Sequence, residues 1–248
     1  MATSAKTKTA SVPALSIKGV GVDYGLGFVI KDISFDVRPG EVFGLIGLNG
    51  AGKTSLIKCI LGLREQTEGE IGIFDGASSD VESRHNFAYL PERFEPAWFL
   101  KGIEFLRFSL KIYGKTPDDE AFVEGAESLR LDVAALKRKV QSYSKGMRQK
   151  LGLLGTIMTG APLFILDEPM SGLDPVARTL VKDRLMHEKA KGHTIFLSSH
   201  ILADMDEICD RVAVLHGGAI VFYGTPEAMK KQAKADTLER AFLKLINA

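Results

Sequence analysis

An α/β fold is predicted by three features of the sequence. Residues 42–46 and 163–166 form short, mostly apolar runs of the kind that suits buried strands of a sheet. Segments with helical spacing of apolar residues follow or separate such runs. Residues 15–23 and 28–37 alternate apolar and polar side chains, as half-buried antiparallel strands do. Because strands and helices alternate around a helical insert, we expect α/β architecture.

The remaining elements are predicted from the same signals. A helix begins at Lys53 and can end at Gly62, because glycine suits a helix C-terminus. From Ala97 to about Leu154, leucine, phenylalanine and charged residues recur at helical spacing, which predicts a mostly helical insert. The other predicted elements are strands at residues 69–75, 86–90 and 194–197, a helix opened by Asp174 and Pro175 and closed by Gly192, a hairpin of residues 212–215 and 219–223, and a helix at residues 238–246.

The composition narrows the class of protein. The 248 residues are 45% hydrophobic and carry a formal net charge of only +1, which argues against nucleic acid as the main partner. Cys59 and Cys209 lack the spacing of a metal site or a disulfide framework. Residues 1–13 are polar and predict a flexible tail, and no apolar run reaches the ~20 residues of a membrane span. We therefore expect a cytoplasmic protein.

A glycine-rich loop lies between the strand at residues 42–46 and the helix that begins at Lys53. Its residues, Gly47 to Thr54, match the pattern G-x-x-x-x-G-K-[ST]. The glycines let successive backbone N–H groups face phosphate oxygens, and the positive end of the helix points at the same anion. Lys53 is expected to reach the β- and γ-phosphates, and the Thr54 hydroxyl to bind Mg²⁺. The predicted nucleotide-binding residues of this loop are Asn49, Gly50, Ala51, Gly52, Lys53, Thr54 and Ser55.

Two acidic residues directly follow the apolar run at residues 163–166. A buried strand would deliver Asp167 to the Mg²⁺ shell, and Glu168 could then polarise the attacking water. The alternative is that the two acids merely end a strand.

Six markers occur in the order that is typical of the ATP-binding-cassette (ABC) nucleotide-binding domains. They are the phosphate loop, Tyr89–Glu92 (YLPE), Tyr143–Met147 (YSKGM, similar to the LSGGQ signature), Leu166–Pro169 (LDEP), Ser171–Pro175 (SGLDP) and His200. The resemblance covers nearly the whole chain. It implies a P-loop NTPase fold, in which a RecA-like core carries an antiparallel β subdomain and a helical subdomain insert. On this view residues 14–248 are one ABC ATPase domain, with the insert at about residues 95–155.

The resemblance also implies roles for the matched positions, with ATP and Mg²⁺ as ligands. Tyr24 would stack on adenine, although it could equally be an ordinary strand residue. Ser144, Gly146 and Asp174 would contact the nucleotide of a second subunit across a two-fold dimer interface, and Asp174 could also serve as a helix cap. His200 would hold the γ-phosphate and orient the water. The implied catalytic residues are therefore Glu168, His200 and Lys53, and the implied metal ligands are Thr54, Glu92 and Asp167.

Two departures from the family pattern stand out. Lys145 replaces the first glycine of the signature and Met147 its final glutamine, while Ser144 and Gly146 are kept. Glu92 stands where many members have a glutamine that binds Mg²⁺ and senses the permease. A glutamate there could still bind Mg²⁺, but its extra charge near the γ-phosphate is expected to slow turnover.

The implied partners are a separate transmembrane permease and a second ATPase subunit, either identical or different. The residues of these motifs resemble those of the subfamily that serves export-type (ABC-2-like) permeases. Such a subunit would bind at the cytoplasmic face of the membrane. Trp98 and Phe99 could line the groove that receives a permease helix, or pack in the core. The rival functions are a non-transport ABC ATPase that acts on ribosomes or DNA, and a P-loop kinase or GTPase. The first rival usually has two cassettes in one chain, and the second has no need of Ser144 or His200.

Overall fold

Two β-sheets are present in the computed structural model, which describes residues 12–25 and 27–247. Residues 1–11 of the predicted tail lie outside the described residues. The strands are β1 (Leu15–Asp23), β2 (Phe28–Val37), β3 (Val42–Ile46), β4 (Glu68–Ile73), β5 (Gly76–Ala77), β6 (Phe87–Leu90), β7 (Leu163–Asp167), β8 (Thr194–Ser199), β9 (Arg211–His216) and β10 (Ala219–Gly224). The helices are α1 (Lys53–Ile60), α2 (Gly102–Ile112), α3 (Asp119–Ser128), α4 (Lys145–Met158), α5 (Pro175–Ala190), α6 (Leu202–Ile208), α7 (Pro226–Ala233) and α8 (Leu238–Ile246).

The first sheet is antiparallel and has the strand order β2-β1-β4-β5. Its strands β1 and β2 bury one apolar face, as the alternating pattern predicts; Ile30, Ile33 and Phe35 of β2 are buried, for example. The predicted antiparallel unit at the beginning of the chain is therefore confirmed.

The second sheet has the order β10-β9-β3-β8-β7-β6, and its neighbouring strands from β9 to β6 are parallel. Every residue of β3, β7 and β8 is buried, which explains why residues 42–46 and 163–166 form mostly apolar runs rather than alternating patterns. Because the three strands run in the same direction, their carboxyl ends meet at one edge of the sheet. The loops that carry chemistry leave from this edge.

Aromatic and charged contacts join the two sheets. The ring of Phe35 in β2 stacks on Phe43 of β3 with centroids 5.1 Å apart, and Phe43 stacks on Phe196 of β8 at 6.0 Å. Beside them the guanidinium of Arg211 donates to the Glu41 carboxylate at 2.6 Å and to the Asp36 carbonyl at 2.9 Å. These contacts fix the antiparallel sheet against the core that carries the site.

The helical insert is confirmed, and it packs through the signature helix α4. Phe105 of α2 lies so close to Gly155 of α4 that a Cβ there would come within 2.7 Å of the ring. The side chains of Leu106 and Phe122, from α2 and α3, are fully buried in the same core cluster as α4. Helices α2, α3 and α4 therefore form one packed unit.

Most predicted boundaries agree with the structure to within two residues, and the differences are local. The strand expected at residues 194–197 continues to Ser199, so its last two residues are hydroxyl-bearing and buried. Helices α6 and α7 were not predicted. None of the helices within the described ranges combines the length and the apolar character that a bilayer crossing needs.

Candidate nucleotide-binding site

A cavity of about 360 Å³ lies where the carboxyl ends of β3, β7 and β8 meet the beginning of α1. It brings together most of the residues that the sequence predicts for the nucleotide and the metal ion. Those that line it are Asn49, Gly50, Gly52, Lys53, Thr54, Ser55, Glu92, Asp167, Glu168 and His200. Val29 and Leu48 complete the wall and were not predicted.

The phosphate loop is held in shape by glycines and by its own lysine. Gly52 has φ +104°, and a Cβ there would lie 2.3 Å from the Ile30 side chain, so a larger residue cannot replace it without a shift. Lys53 is buried, and its ammonium donates to the Gly47 carbonyl at 2.7 Å. Because α1 begins at Lys53, the unpaired N–H groups of its first turn face the loop and the cavity.

Ser198 fixes the acidic end of β7. Asp167 lies opposite Ser198 in the parallel pairing of β7 and β8, and the Ser198 hydroxyl donates to the Asp167 carboxylate. The Glu168 N–H donates to the same hydroxyl at 3.1 Å and to the Ser198 carbonyl at 3.2 Å. Sequence reasoning assigned Ser198 no role; its place at the end of the strand that precedes His200 was the available signal.

Glu168 and His200 form a pair across the cavity. The Glu168 carboxylate is buried, and its Oε2 lies 2.9 Å from Nδ1 of His200. The backbone of Glu168 has φ +50°, a left-handed conformation that costs about 1–3 kcal/mol in a non-glycine residue. Such strain concentrates at functional sites, where the surrounding structure holds a side chain in a required direction. Here it aims the carboxylate at the histidine.

The acidic residues of the cavity suit a hard cation. Burial raises the pKa of Asp167, and the neighbouring charges of Glu168 and Glu92 raise it further, while its hydrogen bond with Ser198 opposes the change. A divalent cation would relieve this repulsion. The Thr54 hydroxyl and the Glu92 and Asp167 carboxylates line the same cavity and are oxygen donors of the kind that Mg²⁺ prefers. The residues present therefore fit the metal ion that the sequence predicts.

Tyr24 and Ala51 lie at the margin of the cavity rather than in its wall. The Tyr24 hydroxyl is 3.1 Å from Oγ of Ser55, and the residue is 47% exposed. The Ala51 N–H donates to the Leu48 carbonyl at 3.1 Å, so it holds the turn of the phosphate loop.

The structure does not bring Ser144, Gly146 and Asp174 into this cavity. Ser144 is the N-cap of α4, where its hydroxyl accepts from the Met147 N–H at 3.2 Å, and Asp174 caps α5 by accepting from the Ala177 N–H at 2.9 Å. Both capping residues are exposed. The cap alternative for Asp174 is thus confirmed, and an exposed position is also what a contact with a second subunit needs.

Comparison with known proteins places the chain in a family. Residues 30–171 match the model of the ABC transporter family. The chain is 38% identical over 79% of its length to an uncharacterized ABC transporter ATP-binding protein of Synechocystis, and 36% identical over 87% to the Nod factor export ATP-binding protein I of Rhizobium leguminosarum. A solved structure described as the ATP binding subunit of an ABC transporter superposes with a TM-score of 0.87 at 34% identity, covering 94% of this chain and 99% of that one.

This protein therefore belongs to the ABC transporter ATP-binding family, and the predicted P-loop NTPase fold is confirmed. The chain spans 56% of the Synechocystis relative's length and 70% of the Rhizobium protein's.

The buried carboxylate beside His200 leads to a first prediction. Glu168→Gln should lower the ATP turnover number about 100-fold or more, because the amide cannot act as a base toward water. ATP binding should persist, since Lys53 and the loop amides are unchanged. Steady-state phosphate release and equilibrium binding of ATP measure the two quantities. Glu95→Gln, at an exposed carboxylate outside the cavity, is the matched control. Undiminished phosphate release would remove Glu168 from the role.

Proposed function

We propose that this chain is the ATP-binding and ATP-hydrolysing subunit that drives a separate membrane permease. The observation that carries the proposal is the Glu168–His200 pair, which lies in the same cavity as Lys53 and the phosphate loop. A phosphate site alone indicates a nucleotide. A buried carboxylate with a histidine beside the position of the terminal phosphate adds the means to activate water.

The phosphate groups of ATP are bound by the loop and by Lys53. Backbone N–H groups of the loop and the first turn of α1 would donate to the phosphate oxygens, and Lys53 would exchange its carbonyl contacts for the β- and γ-phosphates. The Thr54 hydroxyl and the Asp167 and Glu92 carboxylates would hold Mg²⁺, which neutralises charge on the transferring phosphoryl group when bound.

Glu168 and His200 act on the water and on the terminal phosphate. Glu168 would accept a proton from the attacking water, and His200 would hold the γ-phosphate in line. Ser198 holds Glu168 through its backbone N–H and also holds the Asp167 carboxylate. Lys53 and the loop amides stabilise the negative charge that develops during transfer, which is where most of the catalysis is expected.

A second subunit completes each site. Ser144 and Gly146, with Asp174, lie outside the cavity of their own chain and are exposed or half-buried. Two chains related by a two-fold axis would place these groups against each other's nucleotide, giving two composite sites. The second chain could be identical or a related subunit.

An apolar groove is the proposed contact with the permease. It has a volume of about 320 Å³ and lies between the end of α1, β6 and α2. Leu63 is 71% exposed and Ile112 59% exposed at its rim, which is unusual for large apolar side chains. Trp98 and Phe99 are also exposed, so they are not core residues, but they do not line this groove.

The proposed direction of transport is export, and the proposed location is the membrane surface. The similarity to a Nod factor export ATP-binding protein supports an export role. A subunit of this kind would bind at the cytoplasmic face of the membrane through its permease.

Glu92 gives a second prediction. Glu92→Gln should retain ATPase activity, because the amide oxygen can still bind Mg²⁺. Glu92 is one of the charges that raise the pKa of Asp167, so its removal lowers that pKa. The acidic limb of the pH profile of kcat/KM should therefore move to lower pH. A collapse of turnover at all pH values would instead show that the carboxylate itself is required.

The partner is tested by affinity capture. Tagged Glu168→Gln protein, held with Mg²⁺ and ATP, is incubated with detergent-solubilised membranes of its source, and co-purifying proteins are identified by mass spectrometry. A polytopic membrane protein should be captured. Ile112→Glu should abolish its capture, because a charge in the groove cannot be buried against an apolar helix.

The matched control is Leu243→Glu, which changes an exposed leucine of α8 away from the groove and should leave capture intact. Capture that survives Ile112→Glu would place the permease contact elsewhere. Ribosomal or DNA-maintenance proteins without a permease would overturn the transport role and leave the ATPase chemistry standing.

A further inference from the structure

One face of the Tyr24 ring is covered by an arginine. The guanidinium carbon of Arg64 lies 3.7 Å from the centroid of the ring, within the range of a strong cation–π contact. Tyr24 as a whole residue is still 47% exposed, so the contact with Arg64 leaves part of it accessible. Its hydroxyl lies 3.1 Å from Oγ of Ser55, which fixes the edge of the ring against the wall of the nucleotide cavity.

Arg64 is itself held at both ends. Its backbone N–H donates to the Lys58 carbonyl at 3.2 Å, which ties it to the last turn of α1, the helix that begins at Lys53. Its Nη2 donates to the Asp23 carbonyl at 2.9 Å, next to Tyr24 in the chain. The Asp23 carboxylate in turn accepts from the Gly25 and Gly27 N–H groups at 2.6 and 3.1 Å. Both flanks of Tyr24 are therefore fixed.

Hydrogen bonding alone does not account for this placement. The Nε–H of Arg64 is buried and has no hydrogen-bond partner among the described residues. A buried unpaired donor costs free energy, whereas an exposed arginine could satisfy all its donors in water. The stacking on Tyr24 is the contact that the side chain gains in return.

We propose that Arg64 is a positioning residue for the base of the nucleotide, which presents Tyr24 as a fixed platform for a purine ring. The inference rests on the stacking of Tyr24 on adenine that the family resemblance implies. A cation on one face draws π-electron density away from the other, which reduces repulsion between the negative faces of tyrosine and purine. The fixed ring also loses less conformational freedom when the base binds.

Helix α1 and the residues that follow it would then position both the phosphates and the base of the nucleotide. Lys53 at the beginning of α1 reaches the phosphates, and Arg64, three residues beyond Leu61 at its C-cap, sets the platform for the base. Phosphate binding does not need the platform. A change at Arg64 should therefore weaken ligands that carry the base and spare ligands that consist of phosphate alone.

The test is a double-mutant cycle read by titration calorimetry with Mg-ADP, which is not hydrolysed, and with Mg-pyrophosphate. Arg64→Met should weaken Mg-ADP binding about two- to fivefold, the size of a partly exposed cation–π contact. Tyr24→Ala should weaken it about tenfold, and Arg64→Met should add nothing in that background, because the contact no longer exists. Pyrophosphate affinity should stay unchanged in all variants.

Arg240→Met, at an exposed arginine of α8, is the matched control and should leave both affinities unchanged. Thermal unfolding checks that each variant folds. If Arg64→Met does not fold, Arg64→Gln gives the same test, because it also removes the cation while its amide can still donate to the Asp23 carbonyl.

The outcomes distinguish the positioning role of Arg64 from the stacking role of Tyr24. A loss caused by Arg64→Met that is equal in both backgrounds, or equal for ADP and pyrophosphate, would overturn the positioning role. Unchanged ADP affinity in Arg64→Met beside a clear loss in Tyr24→Ala would do the same and leave the Tyr24 platform intact. Unchanged ADP affinity in Tyr24→Ala would refute the platform itself, and the role of Arg64 with it.

Discussion

The hydroxyl of Ser198 joins β7 and β8 at the point where both strands enter the nucleotide cavity. It donates to the Asp167 carboxylate and accepts from the Glu168 N–H, so one side chain orients the proposed metal ligand and the backbone of the proposed general base. His200 follows two residues later and meets Glu168 from the other side. These hydrogen bonds of Ser198 require that β7 and β8 are parallel neighbours in this register. The buried apolar core of the sheet maintains the register. The geometry of the Glu168–His200 pair thus depends on the packing of the central strands.

The groups expected to act on a second subunit obey a different constraint. Ser144 and Asp174 cap α4 and α5, so each is held by the N–H groups of the helix that it begins. A capped helix end is rigid without further contacts, which allows it to stand at the surface and still present a defined group to a partner. The cap and the proposed partner contact therefore use the same residues, and a substitution there must keep the cap if it is to report on the partner contact alone.

Sequence patterns could predict the fold because its signals are local. The apolar runs of β3 and β7, the alternation in β1 and β2, and the cap at Asp174 each depend on a few adjacent residues. Helix α6 escaped prediction because it has only seven residues and no side-chain cap at Ile201. Helix α7 escaped because its sequence is mostly polar, with Met229 as its buried apolar side chain, although Thr225 and Pro226 were available signals.

The site was predicted to the extent that it lies in contiguous motifs. Ser198 and Arg64 contact residues that are 31 and 40 positions away in the chain, so these contacts become visible only in the folded structure. Trp98 and Phe99 show that a sequence pattern can single out residues without predicting their burial. Their aromatic character singled them out, but burial is decided by packing in three dimensions, and both side chains are exposed.

The central claim is that each catalytic site combines Glu168 of one chain with Ser144 of another, and subunit mixing tests it most directly. Two inactive variants are mixed: Glu168→Gln, and Ser144→Asp, which keeps the helix cap and places a negative charge against the phosphate. In a mixed dimer one composite site carries both changes and the other carries neither. Mixing equal amounts should therefore restore about a quarter of the normal ATPase rate, since half of the dimers are mixed and each has one intact site. No recovery, with mixed dimers confirmed by differential tags, would show that each chain hydrolyses ATP with its own residues alone.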